Sequence, residues 1–178
     1  PRIHSICFLV VVFVMCCAGE QCALPPDMAG HVHIPTTWTT IGVRSFEACP
    51  NLVTMSVPDS VTSIGDYAFP YCKNLTTINI PETVTNVGPS AFRYCSKLAV
   101  IPFPDKVTRF SDHVLEYTRI ATFNISNTVT HIGGSAFGDC TDLVSIIIPD
   151  SVTSIGNSAF RSCTSLRTII IPDSVTTI

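Results

Sequence analysis

Apolar and polar positions follow one pattern along most of the chain, and the pattern recurs at intervals of about 23 residues. Its copies begin at Ile34, Val57, Ile80, Phe103, Ile125, Ile148 and Ile171. The copy that begins at Phe103 is shorter than the others, because Ile125 follows it one position early. A unit of this length cannot bury its own apolar side chains. The repetition therefore predicts a solenoid whose coils pack on one another.

Five further positions of the unit are apolar in nearly every copy. In the copy that begins at Val57 they are Val61, Ile64, Phe69, Leu75 and Ile78. Equivalent positions of successive coils lie above one another in a solenoid. We therefore expect continuous apolar columns that together form the core.

The same unit predicts its local structure. The apolar residues Ile78 and Ile80 alternate with a polar one, as in a short strand, and Pro81 ends the strand because proline has no N–H for a ladder bond. A second short extended piece ends at Gly65, where we expect the chain to turn. The segment 66–72 that follows predicts one helical or 3-10 turn.

The unit resembles a known family of repeats. Residues Ile148 to Leu166 read Ile-Pro-Asp-Ser-Val-Thr-Ser-Ile-Gly-x-x-Ala-Phe-x-x-Cys-x-x-Leu, which is similar to the BspA-like leucine-rich repeat. The resemblance implies an α/β solenoid, a right-handed coil of 23-residue repeats with short parallel strands. The family occurs in secreted and surface proteins of bacteria and parasitic protists. Membership implies adhesion or binding of a host protein, and it supplies no catalytic residues.

The N-terminal residues differ from the repeats. A short basic segment at residues 2–4 precedes the apolar run Ile6–Val14, which is too short to span a bilayer, and small residues follow at Ala18 and Gly19. This order is typical of a secretory signal peptide and predicts a secreted or cell-surface protein; the alternative is a buried N-terminal element. The predicted division is a signal peptide, 1–19, an N-terminal cap or linker, 20–33, and a leucine-rich-repeat domain of six repeats and a truncated seventh, 34–178.

Composition narrows the function classes. Charged residues make up only 13% of the chain and the net charge is −3, with no basic run, so we expect no nucleic-acid partner. No catalytic motif is present, and His31 and His33 lack a third metal ligand nearby. The sequence therefore predicts neither an enzyme nor a metal or cofactor site.

The cysteines fall into two groups. One repeat column consists of Cys49, Cys72, Cys95, Cys140 and Cys163. We interpret it as a column of small buried hydrophobes, because side chains in a stacked column point in parallel and are poorly placed for disulfides. Cys22 stands outside the column, and a disulfide from it to Cys49 is left open.

Outward positions that vary between copies are the candidates for binding. One outward strand column becomes apolar toward the C-terminus; of its members we single out Asn79, Pro102, Ile147 and Ile170. The alternatives are simple strand propensity and cover by further sequence. The irregular fourth copy contributes Tyr117 and Arg119, two residue types enriched in binding hot spots. The alternative there is a drifted repeat with a local kink.

Two sequons are candidate glycosylation sites if the source is a eukaryote. They are Asn74-Leu75-Thr76 and Asn124-Ile125-Ser126. Asn124 belongs to the outward strand column, so a glycan there would cover part of the predicted binding surface.

The leading hypothesis is a secreted or surface-attached repeat protein that binds a host or matrix protein through an outward sheet face. The alternative is a structural spacer that carries another domain. The chain starts at Pro1 and ends within a unit at Ile178, so we expect a fragment of a longer product, with any membrane attachment in the missing sequence. An uncovered last coil would favour end-to-end self-association.

Overall fold

The computed structural model describes residues 22–178, and the predicted signal peptide lies outside them. All of the strands that it describes are two or three residues long. They are β1 (His31–His33), β2 (Thr40–Ile41), β3 (Thr54–Ser56), β4 (Ser63–Ile64), β5 (Thr77–Asn79), β6 (Asn86–Val87), β7 (Arg109–Phe110), β8 (Thr122–Asn124), β9 (His131–Ile132), β10 (Ser145–Ile147) and β11 (Ser154–Ile155).

Strands of successive coils pair in parallel on two sides of a solenoid. One side has the order β1-β3-β5, then β8-β10; the other has β2-β4-β6, then β7-β9-β11. The register follows the sequence repeat, since Met55 pairs with Ile78 and Ile41 with Ile64. The predicted solenoid with short parallel strands is confirmed. The strand β1 pairs in the same register with β3, so the first coil starts at His31, shortly before the predicted start of the repeat domain.

Both ladders are interrupted where the third copy meets the fourth, since β5 does not pair with β8, nor β6 with β7, in the described residues. On the first side an isolated bridge, Thr77 to Val100, joins β5 to the last residues of the third copy, and no strand joins these residues to β8 within residues 22–178. Pro102 stands in the middle of the gap and has no N–H to donate to a ladder. The residue that is missing from the fourth copy also shortens the connection that leads into β8. The side of the solenoid that contains the outward column is therefore split into two short sheets.

The predicted apolar columns form the core. The rings of Phe46, Phe69 and Phe92 are fully buried and stack in successive coils with centroids 5.2 Å apart. In the fourth copy Leu115 takes the phenylalanine position, and aromatic residues of neighbouring columns fill the volume. Phe110, for example, packs edge-on against Phe137, 5.7 Å between centroids. Aromatic contacts in the core therefore continue through the irregular copy.

The segment after the glycine forms hydrogen-bonded turns rather than the predicted helical or 3-10 turn. Residues 22–178 contain no helix, so the helical part of the expected α/β solenoid is not confirmed. Two residues of each turn segment have a left-handed backbone; in the second coil these are Tyr67 (φ 52°) and Tyr71 (φ 60°). Their N–H groups, and that of Phe69 between them, donate to carbonyls of the next coil at 2.8–2.9 Å. A helix would direct these N–H groups along its own axis. Bonds between coils therefore stand beside turn bonds within the segment, such as that from Cys72 N–H to the Phe69 carbonyl at 3.3 Å.

The recurrent glycines serve close packing of the backbone rather than a left-handed turn, because only Gly30 among the described glycines has a positive φ. A Cβ at Gly156 would stand 2.4 Å from the backbone nitrogen of Gly134 in the preceding coil. Only glycine lets the two coils approach this closely.

The described cysteines are of two kinds, buried free thiols of the repeat column and one disulfide-bonded pair. Cys72, Cys95, Cys140 and Cys163 are buried and free, and each thiol donates to the carbonyl of the preceding coil; the first donates to Phe46 at 2.9 Å. The disulfide that the sequence left open is present, between Cys22 and Cys49, with Cα atoms 5.3 Å apart. It ties the segment before β1 to the first coil, where Ala23 N–H also donates to Ser45.

No helix in residues 22–178 has the length and apolar character needed to cross a membrane.

We expect Gly156→Ala to destabilise the protein by about 1–3 kcal/mol, because the added methyl group would press on the backbone of Gly134. Chemical denaturation measures the effect. Gly134→Ala is the matched control, since a Cβ there meets its nearest neighbour at 3.4 Å, an ordinary contact. Equal destabilisation by both substitutions would contradict the close-packing explanation.

Burial raises the pKa of the Cys72 thiol to about 12 and that of the Cys163 thiol to about 11. A raised pKa lowers the thiolate fraction at mildly alkaline pH, and the thiolate is the reactive species. We therefore expect iodoacetamide to label both residues at least about a hundredfold more slowly in the folded protein than in guanidinium. Mass spectrometry of the labelled peptides measures the ratio, and labelling of the folded protein at the unfolded rate would contradict it.

Candidate binding surfaces

The sequence-predicted binding residues lie on two different parts of the coil. We call the outward strand column the sheet face; it contains Asn79, Pro102, Ile147 and Ile170. We call the exposed side of the turn segments the turn face; it contains Tyr117 and Arg119. The structure therefore groups the first four residues and separates them from the last two.

The sheet face is polar in the first coils and apolar in the last. Asn79 ends β5 beside Ser56 of β3, and both side chains are exposed. Ile147 of β10 is 72% exposed, and Ile170 at the equivalent position of the next coil is 77% exposed. Two large aliphatic side chains on adjacent coils form an apolar patch that water hydrates poorly.

Pro102 and Asn124 belong to the same face and line an open recess of about 360 Å³ together with Val100 and Thr122. The recess lies where the strand ladder is interrupted. The outward column is therefore irregular at Pro102, one of the residues that the sequence predicted to take part in binding. Asn124, a candidate glycosylation site, is exposed at the end of β8.

The turn face is built on a column of tyrosines. The rings of Tyr71, Tyr94 and Tyr117 stack in successive coils, with centroids 4.6 Å and then 4.4 Å apart. All three have a left-handed backbone, with φ of 60°, 61° and 60°. Asp139 follows at the same position of the next coil, and its charge raises the pKa of Tyr117. Sequence analysis missed this column, although the three tyrosines are separated by the same interval that defines the repeat.

Arg119 and Asn74 make contacts between coils on the turn face. Arg119 Nε donates to Asp142 Oδ2 at 2.9 Å. Asn74, the other candidate glycosylation site, donates through Nδ2 to the Pro50 carbonyl and accepts from Lys97 Nζ, both at 2.8 Å. These side chains therefore also serve to connect neighbouring coils.

A buried carboxylate lies beneath the turn face. The side chain of Glu116 is 2% exposed. His113 Nδ1 lies 3.0 Å from Oε2, Arg161 Nη2 donates to Oε1 at 3.3 Å, and the Arg93 guanidinium forms an ion pair with the same carboxylate without a well-aligned hydrogen bond from Nε. Arg93, Glu116 and Arg161 hold the same repeat position in three coils, so the group spans most of the irregular region.

Gly138 occupies this repeat position in the coil between Glu116 and Arg161. A Cβ at Gly138 would stand 3.3 Å from Cγ of Glu116, so the glycine leaves room for Arg161 to reach past it. Arg161 also pairs with Asp139. These contacts favour the interpretation of the fourth copy as a local irregularity that the fold stabilises.

In the described part of the chain no group of three or more His, Cys, Asp or Glu side chains is close enough to hold a metal ion. His31 Nδ1 forms a hydrogen bond with Thr54 Oγ1 at 2.6 Å, which links β1 to β3.

The BspA type leucine-rich repeat region matches the chain in six copies, over residues 29–144 and 134–178. The chain belongs to this family. The resemblance that the sequence motif suggested is therefore confirmed. No curated protein sequence matches the chain.

Several solved bacterial structures share the fold of this BspA-type repeat chain. A leucine-rich repeat protein of T. pallidum is 28% identical with a TM-score of 0.79, over 84% of this chain and 73% of that one. A leucine-rich cell surface protein of Faecalibacterium prausnitzii is 28% identical with a TM-score of 0.65, over 79% of this chain and 47% of that one. A leucine-rich repeat protein of Eubacterium ventriosum is 21% identical with a TM-score of 0.63, over 83% and 49%. The chain spans about half the length of the last two proteins.

Membership of the BspA-type family implies a role in protein interaction. In such a repeat the inward positions serve the core, so a ligand can be selected only by outward positions that differ between copies. The sheet face and the turn face both carry such differences.

We expect Glu116→Gln to destabilise the protein by about 1–3 kcal/mol, because Arg93 and Arg161 would lose the charge that compensates them while remaining partly buried. Asp142→Asn is the control. It breaks the pair with Arg119, whose side chain is 65% exposed, and should cost less than about 1 kcal/mol. Urea denaturation measures both, and a variant Glu116→Gln as stable as the control would show that the carboxylate is not structural.

Proposed function

We propose that this chain is the binding part of a secreted or cell-surface protein that attaches to a host or matrix protein through its sheet face. The apolar patch of Ile147 and Ile170 carries the proposal. Both side chains are more than two thirds exposed and lie on adjacent coils of one column. Contiguous exposed apolar side chains on a repeat surface are typical of a protein-binding site.

The extracellular location has three supports. The first is the predicted signal peptide at residues 1–19. The second is the disulfide between Cys22 and Cys49, a bond that persists in oxidising compartments. The third is the similarity of the fold to a solved leucine-rich protein that is described as a cell surface protein.

The remaining candidate residues have supporting roles in this proposal. Asn79 and Pro102 extend the sheet face toward the first coils, where it is polar. A polar margin around an apolar centre is the usual composition of a protein interface. Asn124 lies between Pro102 and Ile147 in the column. A glycan attached to Asn124 would stand beside the patch and weaken binding, so we propose that the ligand is bound by protein in which Asn124 is unmodified.

Biolayer interferometry against immobilised extracellular-matrix proteins tests the proposal. We expect saturable binding by the chain, and a loss of about tenfold or more in affinity for the double variant Ile147→Ser with Ile170→Ser. Because both side chains are exposed, the substitutions should leave the unfolding transition in place.

Val43→Ser is the matched control, since Val43 is an apolar residue with 63% exposure outside the sheet face. It should bind as the unaltered chain does. Equal loss in the control and the double variant would show a general effect of surface apolarity. The absence of saturable binding by the folded chain would contradict the proposal and favour the structural spacer.

A further inference from the structure

The tyrosine column of the turn face ends abruptly at its N-terminal end. Tyr71 covers one face of the Tyr94 ring, and Ala48 holds the tyrosine position in the coil before Tyr71. The backbone of Ala48 is the same as that of the tyrosines. Its φ is 52°, and its N–H donates to the Pro70 carbonyl at 2.7 Å as the Tyr71 N–H donates to Arg93 at 2.9 Å. The first coil therefore has the backbone of a tyrosine position, but the space that a tyrosine ring fills in the next coils is not filled by Ala48.

An open recess of about 430 Å³ occupies this position. Its lining consists of Ala48, Pro50, Tyr71, Lys73 and Asn74. At the other end of the column the equivalent position is taken by Asp139, which pairs with Arg161. The two ends thus differ. One presents an aromatic ring face over an alanine, and the other presents an ion pair.

We propose that this recess, which we call the Tyr71 recess, anchors an aromatic side chain of a protein ligand that carries carboxylates beside the aromatic residue. A ring placed above Ala48 would continue the column at its own spacing, which is 4.6 Å between Tyr71 and Tyr94. Stacked aromatic pairs are stabilised beyond the burial of their surface.

The positive charge at the recess determines which planar groups can bind there. Lys73 is exposed and has no carboxylate within ion-pair distance in residues 22–178. The described lining of the recess contains no acidic side chain, and Glu47, next to Ala48 in sequence, is paired with Arg44 at 2.9 Å. A guanidinium group would stack well on Tyr71 but would be repelled by Lys73. Carboxylates that flank an aromatic residue would instead be attracted to Lys73 and Lys97.

Hydrogen bonding distinguishes an aromatic side chain from a sugar ring. A pyranose that stacks on tyrosine needs several donors and acceptors around its rim. Asn74 is the amide side chain of the recess, and both its Nδ2 and its Oδ1 are already bonded, to Pro50 and Lys97. The recess therefore offers a stacking surface and positive charge with few directional groups, which favours an aromatic ring over a sugar.

The test uses the full chain labelled with nitrogen-15 and three short probes, acetyl-Asp-Tyr-Asp-amide, acetyl-Lys-Tyr-Lys-amide and acetyl-Asp-Leu-Asp-amide, with methyl glucopyranoside as a fourth. We expect the first probe to bind with a millimolar Kd and to shift the backbone amide signals of Ala48 and Lys73. Loss of the aromatic ring or reversal of the flanking charge should weaken binding at least about fivefold.

Ala48→Tyr tests the position itself. Tyrosine is accommodated with the same backbone in the next three coils, so the new ring should complete the column, preserve the fold and abolish probe binding. Ser162→Tyr is the matched control. It places the same residue at the same repeat position, with φ 57°, in the last described turn segment, and it should leave binding unchanged. Lys73→Glu, an exposed substitution that the fold should tolerate, is expected to reverse the preference to the Lys-Tyr-Lys probe.

Several outcomes would overturn the inference. They are the absence of binding at tens of millimolar, equal binding of the Asp-Leu-Asp probe, tighter binding of the glucopyranoside, or retained binding by the Ala48→Tyr variant. The sheet-face variant with Ile147→Ser and Ile170→Ser should bind the probes normally. Failure of the Tyr71 recess and failure of the proposed function are therefore separable.

Discussion

Backbone hydrogen bonds between neighbouring coils are the interaction on which the whole structure depends. At the strands the bonds run to both neighbours, as Thr62 N–H beside β4 donates to Thr39 of the coil before and Ile155 N–H of β11 donates to Thr177 of the coil after. The turn segments donate to the coil after, as Phe69 N–H does to Ala91. Each coil is thus tied to both neighbours by backbone hydrogen bonds, at its strands and at its turn segment. A coil removed from the stack would lose all the bonds that pair its strands and those that its turn segment donates to the next coil, which is why the repeat length is kept in most copies.

This double attachment explains how the fold survives its irregular fourth copy. Strand pairing is lost on both sides here, at Pro102 and between β6 and β7, but the turn segments remain hydrogen-bonded from coil to coil. Tyr94 N–H donates to Glu116 at 2.8 Å, and Tyr117 N–H to Gly138 at 2.9 Å. The core compensates for Leu115 with Phe110, and Glu116 draws together arginines from two other coils. The turn segments therefore carry the connection between the two halves of the stack.

The sequence predicted what depends on the period and missed what depends on contacts between coils. The burial of Phe69 and the pairing of Met55 with Ile78 follow from the spacing alone. The left-handed backbone of Tyr67 and Tyr71 could not be foreseen, because this conformation is unfavourable for tyrosine locally and is imposed by hydrogen bonds to the next coil. The predicted helical turn failed for the same reason.

The burial of Glu116 was not predicted, for a different reason. A carboxylate on a turn segment is ordinarily exposed, and its burial depends on Arg161, which lies 45 residues later. Arg161 can contact Glu116 only because Gly138, in the coil between them, has no side chain. This role of Gly138 becomes apparent only when the coils are stacked. By contrast, the tyrosine column could have been found by comparing the turn segments at the interval of the repeat, as was done for the apolar columns.

Regularity also determines where binding can evolve. A substitution at an inward position disturbs two neighbouring coils, whereas one at an outward position changes a single step of a column. A column of identical side chains, such as the stacked tyrosines, covers its own faces and offers a ligand mainly ring edges. Its end, or a copy in which one member is missing, exposes a complete face. Ala48 creates such an end on the turn face, and Pro102 creates a gap on the sheet face. In a solenoid of near-identical coils, a ligand can therefore bind specifically at the positions that depart from the repeat. Such a position has a distinct surface and occurs at one defined place along the stack.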